Sequence, residues 1–246
     1  SCYVLVVICA ALLFLTSASA IAPSIPVIDV SPLFSTDAAA FLACAREIDA
    51  AFHAYGLFLA ANHNVDSSLR RDIMNSGQSL FSLPLEVKQA IRVSSGGLMR
   101  GYISFGAESG LANLFEPKEG YSYGYQWPAS ASFSNSLEGH NVWPADFDST
   151  HFNTLFRSDV SFAEAIIRGI SQVLHDDTTT LNHLLQDGDK ISIMRLFHYF
   201  ATPAADNIMG SSPHTDWGFI TVIAQDDVGG LQFYHENSWI DVPARP

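Results

Sequence analysis

Pro213-His214-Thr215-Asp216-Trp217-Gly218-Phe219-Ile220-Thr221-Val222-Ile223-Ala224 is the most informative run of this chain. It follows Ile191–Phe200, rich in apolar and aromatic residues, and ends in the β-branched run Phe219–Ala224. Both flanks read as strands. On extended backbone, residues two apart project from one face, so the His214 imidazole and the Asp216 carboxylate would point together. Such a pair supplies two of the three protein ligands of a facial 2-His-1-carboxylate site, the donor set that suits non-haem Fe(II). The bare H-x-D pattern also occurs in solvated turns and at helix N-caps, so its surroundings carry the weight. Pro213 biases Ser212 toward extended conformations. The pair is therefore expected at the mouth of a strand, where a scaffold can hold it.

Outward from this stretch, the composition is that of a packed protein. Of 246 residues, 48% are hydrophobic and 15% charged, which excludes a disordered chain and provides for one sizeable core. The formal net charge is −13. An acidic surface repels phosphate backbones, so no nucleic-acid partner is expected.

Tyr3–Leu15 is apolar throughout and is followed by Thr16-Ser17-Ala18-Ser19-Ala20. An apolar run closing on a small-x-small site is the pattern of a signal peptide, and it is short for a membrane span. Residues 1–20 are thus expected to be cleaved, leaving a chain that starts near Ile21 and keeps no stable membrane span. The expected destination is the secretory pathway or the extracellular space. The junction Ala18–Pro23 also resembles that of bipartite presequences for secondary plastids, which is the alternative destination. Beyond the leader Cys44 is the sole cysteine, so no internal disulfide is expected.

Apolar spacing sets out the elements. Phe41, Ala45, Ile48 and Phe52 recur at helical intervals within Asp37–Tyr55, and Gly56 stops that helix. Leu57–Ala61 reads as a short buried strand. Asn64 can take a left-handed conformation after it. Asp66–Phe81 reads as a second helix with Leu69, Ile73, Gly77 and Leu80 inward, and Pro84 opens a short third one. From Ser94 to Trp143 there is little periodicity, so loops and short strands lining an entrance are expected. Phe152–Leu174 carries a long apolar stripe, and strands follow to the end, with a hairpin joining Leu231–Tyr234 to Ser238–Val242. Helices before strands suit a mainly β core with flanking helices.

The stretch from Pro213 to Asp226, with Gly229-Gly230-Leu231-Gln232-Phe233 and Trp239-Ile240-Asp241-Val242-Pro243, resembles the core of the 2-oxoglutarate/Fe(II)-dependent dioxygenases of the isopenicillin N synthase-like group. The N-terminal half agrees. Ile25-Pro26-Val27-Ile28-Asp29 resembles that family's opening strand. Tyr55-Gly56-Leu57-Phe58 through Asn62-His63-Asn64 is similar to its GFF…NHG segment, and Phe81–Lys88 to its FFxLPxEEK segment. Gly101-Tyr102 and Glu119-Gly120-Tyr121 fall where its GY and KE-rich elements lie. The resemblance runs from Ile25 to Pro246.

That resemblance implies a double-stranded β-helix (jelly roll), with residues 21–140 as its N-terminal helical and strand region and 141–246 as the oxygenase core. It implies Fe(II) held by His214 and Asp216, 2-oxoglutarate as cosubstrate, ascorbate as an added reductant, and dioxygen and a small organic molecule as reactants. Oxidation of the substrate, by hydroxylation or desaturation, would be coupled to release of succinate and CO2. Met194–Phe200 resembles the family's RLNYYP segment, whose second Tyr contacts 2-oxoglutarate; that position is Tyr199. Phe197, His198 and Phe200 depart from the pattern, and a strand whose aromatics simply pack the core is the other reading. The family's second His and its R-x-S arginine come further along, so the core is expected to be incomplete at Pro246.

Other histidines are expected elsewhere. His63 takes a structural role. His53, His151, His175 and His183 lie on helices as surface or capping groups. His235, beside Glu236-Asn237, sits at a hairpin tip facing solvent. Phe105, Tyr123, Tyr125 and Trp127 are candidates for lining a substrate pocket. Two rival functions remain open at this point: a 2-oxoglutarate-independent oxidase of the isopenicillin N synthase type, and a non-catalytic jelly-roll binding protein.

Overall fold

A computed structural model describes residues 4–8, 24–93, 100–109, 111, 113–133, 137–181, 191–203 and 205–244. The chain divides into two compact units that interleave in sequence. The first comprises residues 1–65, 161–184 and 215–246, and the second 66–160 and 185–214.

In the first unit, β2 (Val27–Asp29) runs parallel to β3 (Leu57–Ala61). β1 (Val4–Ile8) lies between β3 and β7 (Ile220–Ile223), antiparallel to both, giving the order β2-β3-β1-β7. Part of the expected leader is therefore the third strand of a four-stranded sheet. Its Val and Ile content suits an extended backbone. The junction at Ala18–Ala20 lies outside the described residues.

α1 (Ala38–Tyr55) begins where the Asp37 carboxylate accepts the Ala39 and Ala40 amides at 2.9 and 3.1 Å, and ends at Gly56 with φ +74°. The carboxylate is a side-chain N-cap, and Gly56 is the expected left-handed stop. Its buried face is Cys44, Ala45, Ile48 and Ala51. A 3-10 turn, Ser31–Phe34, precedes it. The C-terminal part of α4 (Thr150–His175) comes so near that a β-carbon on Gly169 would stand 3.4 Å from Ala45 and Leu33. β8 (Gln232–His235) and β9 (Ser238–Asp241) form the expected hairpin. Glu236 and Asn237 both take positive φ, as a two-residue turn matching strand twist requires. Ile25, Leu57, Leu59 and Val242 form a buried cluster against which Tyr55, Ile223, Leu231 and Phe233 pack.

In the second unit, β4 (Gly101–Ile103), β5 (Lys118–Gly124) and β6 (Ile193–Tyr199) form an antiparallel sheet in that order. α2 (Ser67–Phe81) is capped by Asp66, and α3 (Leu85–Ala90) follows Pro84. Leu69, Ile73, Gly77 and Leu80 are buried as expected. Gly101, at φ +116°, stands where a β-carbon would collide with the Ile91 carbonyl oxygen, so the Gly-Tyr pair needs its glycine.

β5, with the sequence Lys-Glu-Gly-Tyr-Ser-Tyr-Gly, is buried along its whole length. Tyr121 and Tyr123 belong to an aromatic cluster with Trp143, Phe147 and Phe152; Tyr121 and Trp143 have ring centroids 4.7 Å apart. Tyr123 is a core residue for that reason and does not line an open pocket.

The described residues thus form four-, three- and two-stranded sheets accompanied by helices. No helix among them is long and apolar enough to cross a membrane.

Candidate metal centre

His214 and Asp216 lie in coil between β6 and β7, and β7 starts only at Ile220. The strand-face reading of the pair is thereby corrected. Pro213 has no amide hydrogen to give a ladder, and Gly218, at φ +84°, breaks the pleat before β7 begins.

The His214 ring is nevertheless fixed. Its Nδ1 lies 2.7 Å from the carbonyl oxygen of Ser212. A carbonyl only accepts, so Nδ1 carries the proton. In the neutral ring Nε2 is then the nitrogen with the lone pair, which is the arrangement usual for a histidine that ligates a metal.

Ser212 is buried and is itself held. Its amide donates to Glu116 Oε1 at 2.7 Å, and its hydroxyl donates to the same oxygen. Glu116 Oε2 is 2.6 Å from Lys118 Nζ, and both side chains are buried. Lys118 also donates to Ser211 Oγ at 3.1 Å. The coil is pinned alongside: Phe115 N donates to Asn207 O at 2.8 Å and Met209 N to Phe115 O at 3.1 Å.

Tyr199, at the end of β6, pairs with Lys118 across the sheet. Its ring centroid is 5.9 Å from the Lys118 ammonium. Desolvation, with the Glu116 and Glu108 carboxylates nearby, raises its phenol above the ordinary value. The residue is 52% exposed. Tyr199 therefore stands beside the residues that hold His214 and is not a pure core aromatic.

On the opposite face of β5, Glu119 Oε2 accepts from Lys88 Nζ at 2.7 Å and from the Tyr102 hydroxyl at 2.6 Å. His198 Nδ1 lies 3.0 Å from Glu119 Oε1. Strand alternation sends Lys118 and Glu119 to opposite sides and gives each a buried partner of opposite charge.

The remaining expectations separate. Phe105 is exposed and meets Phe115 and Phe200 edge to face, at 5.5 and 4.9 Å. Tyr125 and Trp127 meet the same way at 5.2 Å. His63 is buried against Phe162, and its Nδ1 accepts the Val65 amide at 3.2 Å, a structural role as expected. His53, His151 and His175 lie on helices as expected, and His183 is outside the described residues. His235 differs from expectation. It ends β8, but its ring packs on Tyr55 at 5.2 Å and its side chain is only 20% exposed. Among the described residues, no group of three or more His, Cys, Asp or Glu side chains is placed to hold a metal.

Sequence reasoning missed Glu116, Lys118 and Ser212. A signal was available: Glu116-Pro117-Lys118-Glu119 is a cluster of charge inside an aromatic, glycine-rich region, the pattern of ions that must pair when buried.

Comparison with known proteins adds the family. The N-terminal model of non-haem dioxygenases in morphine synthesis matches residues 25–146, and the 2OG-Fe(II) oxygenase superfamily model matches residues 190–246. The 2-oxoglutarate-Fe(II) type oxidoreductase hxnY of Emericella nidulans is 28% identical over 231 residues, spanning 88% of this chain and 66% of the relative. Gibberellin 20 oxidase 2 of Oryza sativa subsp. indica is 28% identical over 243 residues, spanning 93% of this chain and 58% of the relative. The chain thus spans less than two thirds of the length of these curated relatives. A full-length Neurospora crassa protein, solved in complex with alpha-KG and 5-formyluracil, superposes with a TM-score of 0.75 at 26% identity. That match covers 88% of this chain and 67% of the Neurospora protein. Two family models in succession, the second containing His214 and Asp216, identify the chain as a member of the 2-oxoglutarate/Fe(II) oxygenase superfamily.

Proposed function

We propose that the protein is an Fe(II)- and 2-oxoglutarate-dependent oxygenase that hydroxylates or desaturates a small organic molecule. For hydroxylation the balance is substrate C–H, 2-oxoglutarate and dioxygen giving substrate C–OH, succinate and CO2. The observation that carries the reading is the Nδ1–H to Ser212 carbonyl bond, which makes Nε2 the donor nitrogen of His214. One residue separates His214 from Asp216, so their Cα atoms stay within about 7 Å of each other. An imidazole nitrogen and a carboxylate suit a divalent first-row metal. These two residues would hold Fe(II), and a third ligand comes from outside the described residues. When bound, the metal supplies the centre at which 2-oxoglutarate and dioxygen are activated.

The chain's own residues position and shield. Tyr199 is the residue we assign to a hydrogen bond with 2-oxoglutarate, on the strength of its place beside Lys118 and Glu116. The relative named for gibberellin oxidation and the Neurospora complex with 5-formyluracil support a small organic substrate. The order of the two family models, residues 25–146 and then 190–246, supports an N-terminal region followed by a jelly-roll oxygenase core, whose bounds we take as 21–140 and 141–246. The test is succinate formation by the full-length protein given iron, ascorbate, oxygen and 2-oxoglutarate. Succinate should form above an iron-free control. Equal oxygen uptake without 2-oxoglutarate would instead indicate the isopenicillin N synthase type of oxidase.

We also propose that residues 1–20 act as a cleavable leader for export. The support is the apolar run Tyr3–Leu15 closing on Ala18-Ser19-Ala20. Cleavage would withdraw β1 and open one edge each of β3 and β7. Mass spectrometry of the natural protein should find an N-terminus near Ile21. Recovery of peptides reading through Ala20 in most molecules would reject the leader and retain the strand.

A further inference from the structure

We infer that Glu116 is a positioning residue for His214, acting through Ser212. This rests on the reading of His214 as a metal ligand. His214 sits in coil, where no helix or sheet ladder sets its direction. Its ring is directed by the Ser212 carbonyl at 2.7 Å. That carbonyl belongs to a residue whose amide and hydroxyl both donate to a single oxygen of Glu116. Pro213, between them, has a fixed φ and transmits the orientation with little slack.

Glu116 is in turn anchored by Lys118 at 2.6 Å, and Lys118 leads into β5. The ion pair is buried, which costs desolvation energy that a surface loop has no structural need to incur. The sequence of contacts Lys118, Glu116, Ser212, His214 connects a rigid strand to the metal-ligand nitrogen. Outer partners of this kind fix tautomer and ring orientation, and their loss lowers metal affinity by about 10- to 100-fold.

The test uses the full-length protein with two readouts. The first is the 15N spectrum of the histidine rings without metal, the His214 resonances being assigned by His214→Gln. The second is the dissociation constant for Mn(II) alone, followed by electron paramagnetic resonance. In the native protein His214 should show the Nδ1–H tautomer. Glu116→Ala should mix the tautomers and weaken Mn(II) binding about tenfold or more. Glu116→Gln, which keeps an acceptor for the Ser212 amide, should recover part of both, and it remains informative if the alanine variant fails to fold. Glu47→Ala, on the exposed side of α1, should change neither.

An unchanged tautomer and unchanged Mn(II) affinity in both Glu116 variants would overturn the inference while leaving the metal reading intact. If His214→Gln itself leaves Mn(II) binding unaltered, the metal reading falls. The tautomer shift in Glu116→Ala would still show the orienting role.

Discussion

Replacing His214 or Asp216 with Ala is expected to remove stoichiometric Fe(II) or Mn(II) from the full-length protein and to abolish succinate formation. A protein metal site is worth about 10 kcal/mol or more in total. Three ligands sharing that energy contribute roughly 3 kcal/mol each, so one deletion should weaken binding on the order of 100-fold. Each loss should act without unfolding the protein. His214 is exposed and Asp216 half-buried, so neither truncation opens a cavity. Metal analysis alongside circular dichroism checks both halves of the expectation. A variant that keeps full metal content removes that residue from the site.

The second large effect concerns stability. Lys88→Met should lower it by about 3 kcal/mol or more, because it leaves the Glu119 carboxylate buried without its lysine. For a chain of this length that is roughly 6–12 °C in Tm. The deficit should depend on pH. Burial would raise the Glu119 pKa, but hydrogen bonds from Lys88, Tyr102 and His198 outweigh it and hold the carboxyl below its ordinary 4.5. A carboxyl depressed in the folded state contributes stability that is present above its unfolded value and is lost as pH falls through the folded one. The gap between wild type and Lys88→Met should therefore be full near neutrality and narrow as falling pH protonates Glu119 in both proteins. Thermal melts of both proteins from about pH 7 to about pH 3 measure it. A gap that stays constant would place the stabilisation in the Lys88 to Phe81 carbonyl bond, 2.8 Å long, instead of in the ion pair.

What the sequence made legible follows from local physics. Asp37 and Gly56 bracket α1, Asp66 caps α2, and Glu236-Asn237 turns the β8–β9 hairpin, because caps and turns are decided by a few adjacent residues. β4 and β5 gave no periodic signal. β5 is buried on both faces while containing Lys, Glu, Ser and two Gly, which is tolerable because Lys118 pairs with Glu116 just before the strand and Glu119 with the distant Lys88. The H-x-D residues were identifiable, but Pro213 was read only as favouring extended backbone, whereas with Gly218 it ends extended pairing on either side. The bond between Glu116 and Ser212 joins residues 96 apart in sequence, and no spacing rule reaches across that distance. Tyr123 and His235 were misjudged for a related reason: burial by Phe152 and cover by Tyr55 come from elements distant in the chain.

His214 and Asp216 are expected to bind one metal, with His214 using Nε2. Anomalous X-ray diffraction at the Mn edge, on crystals of the full-length protein grown with Mn(II) and 2-oxoglutarate, locates that metal. One strong peak is expected within bonding distance of His214 Nε2 and an Asp216 carboxylate oxygen, with Nδ1 still donating to the Ser212 carbonyl. A peak elsewhere, or one bonded to Nδ1 with the Ser212 contact broken, would contradict it.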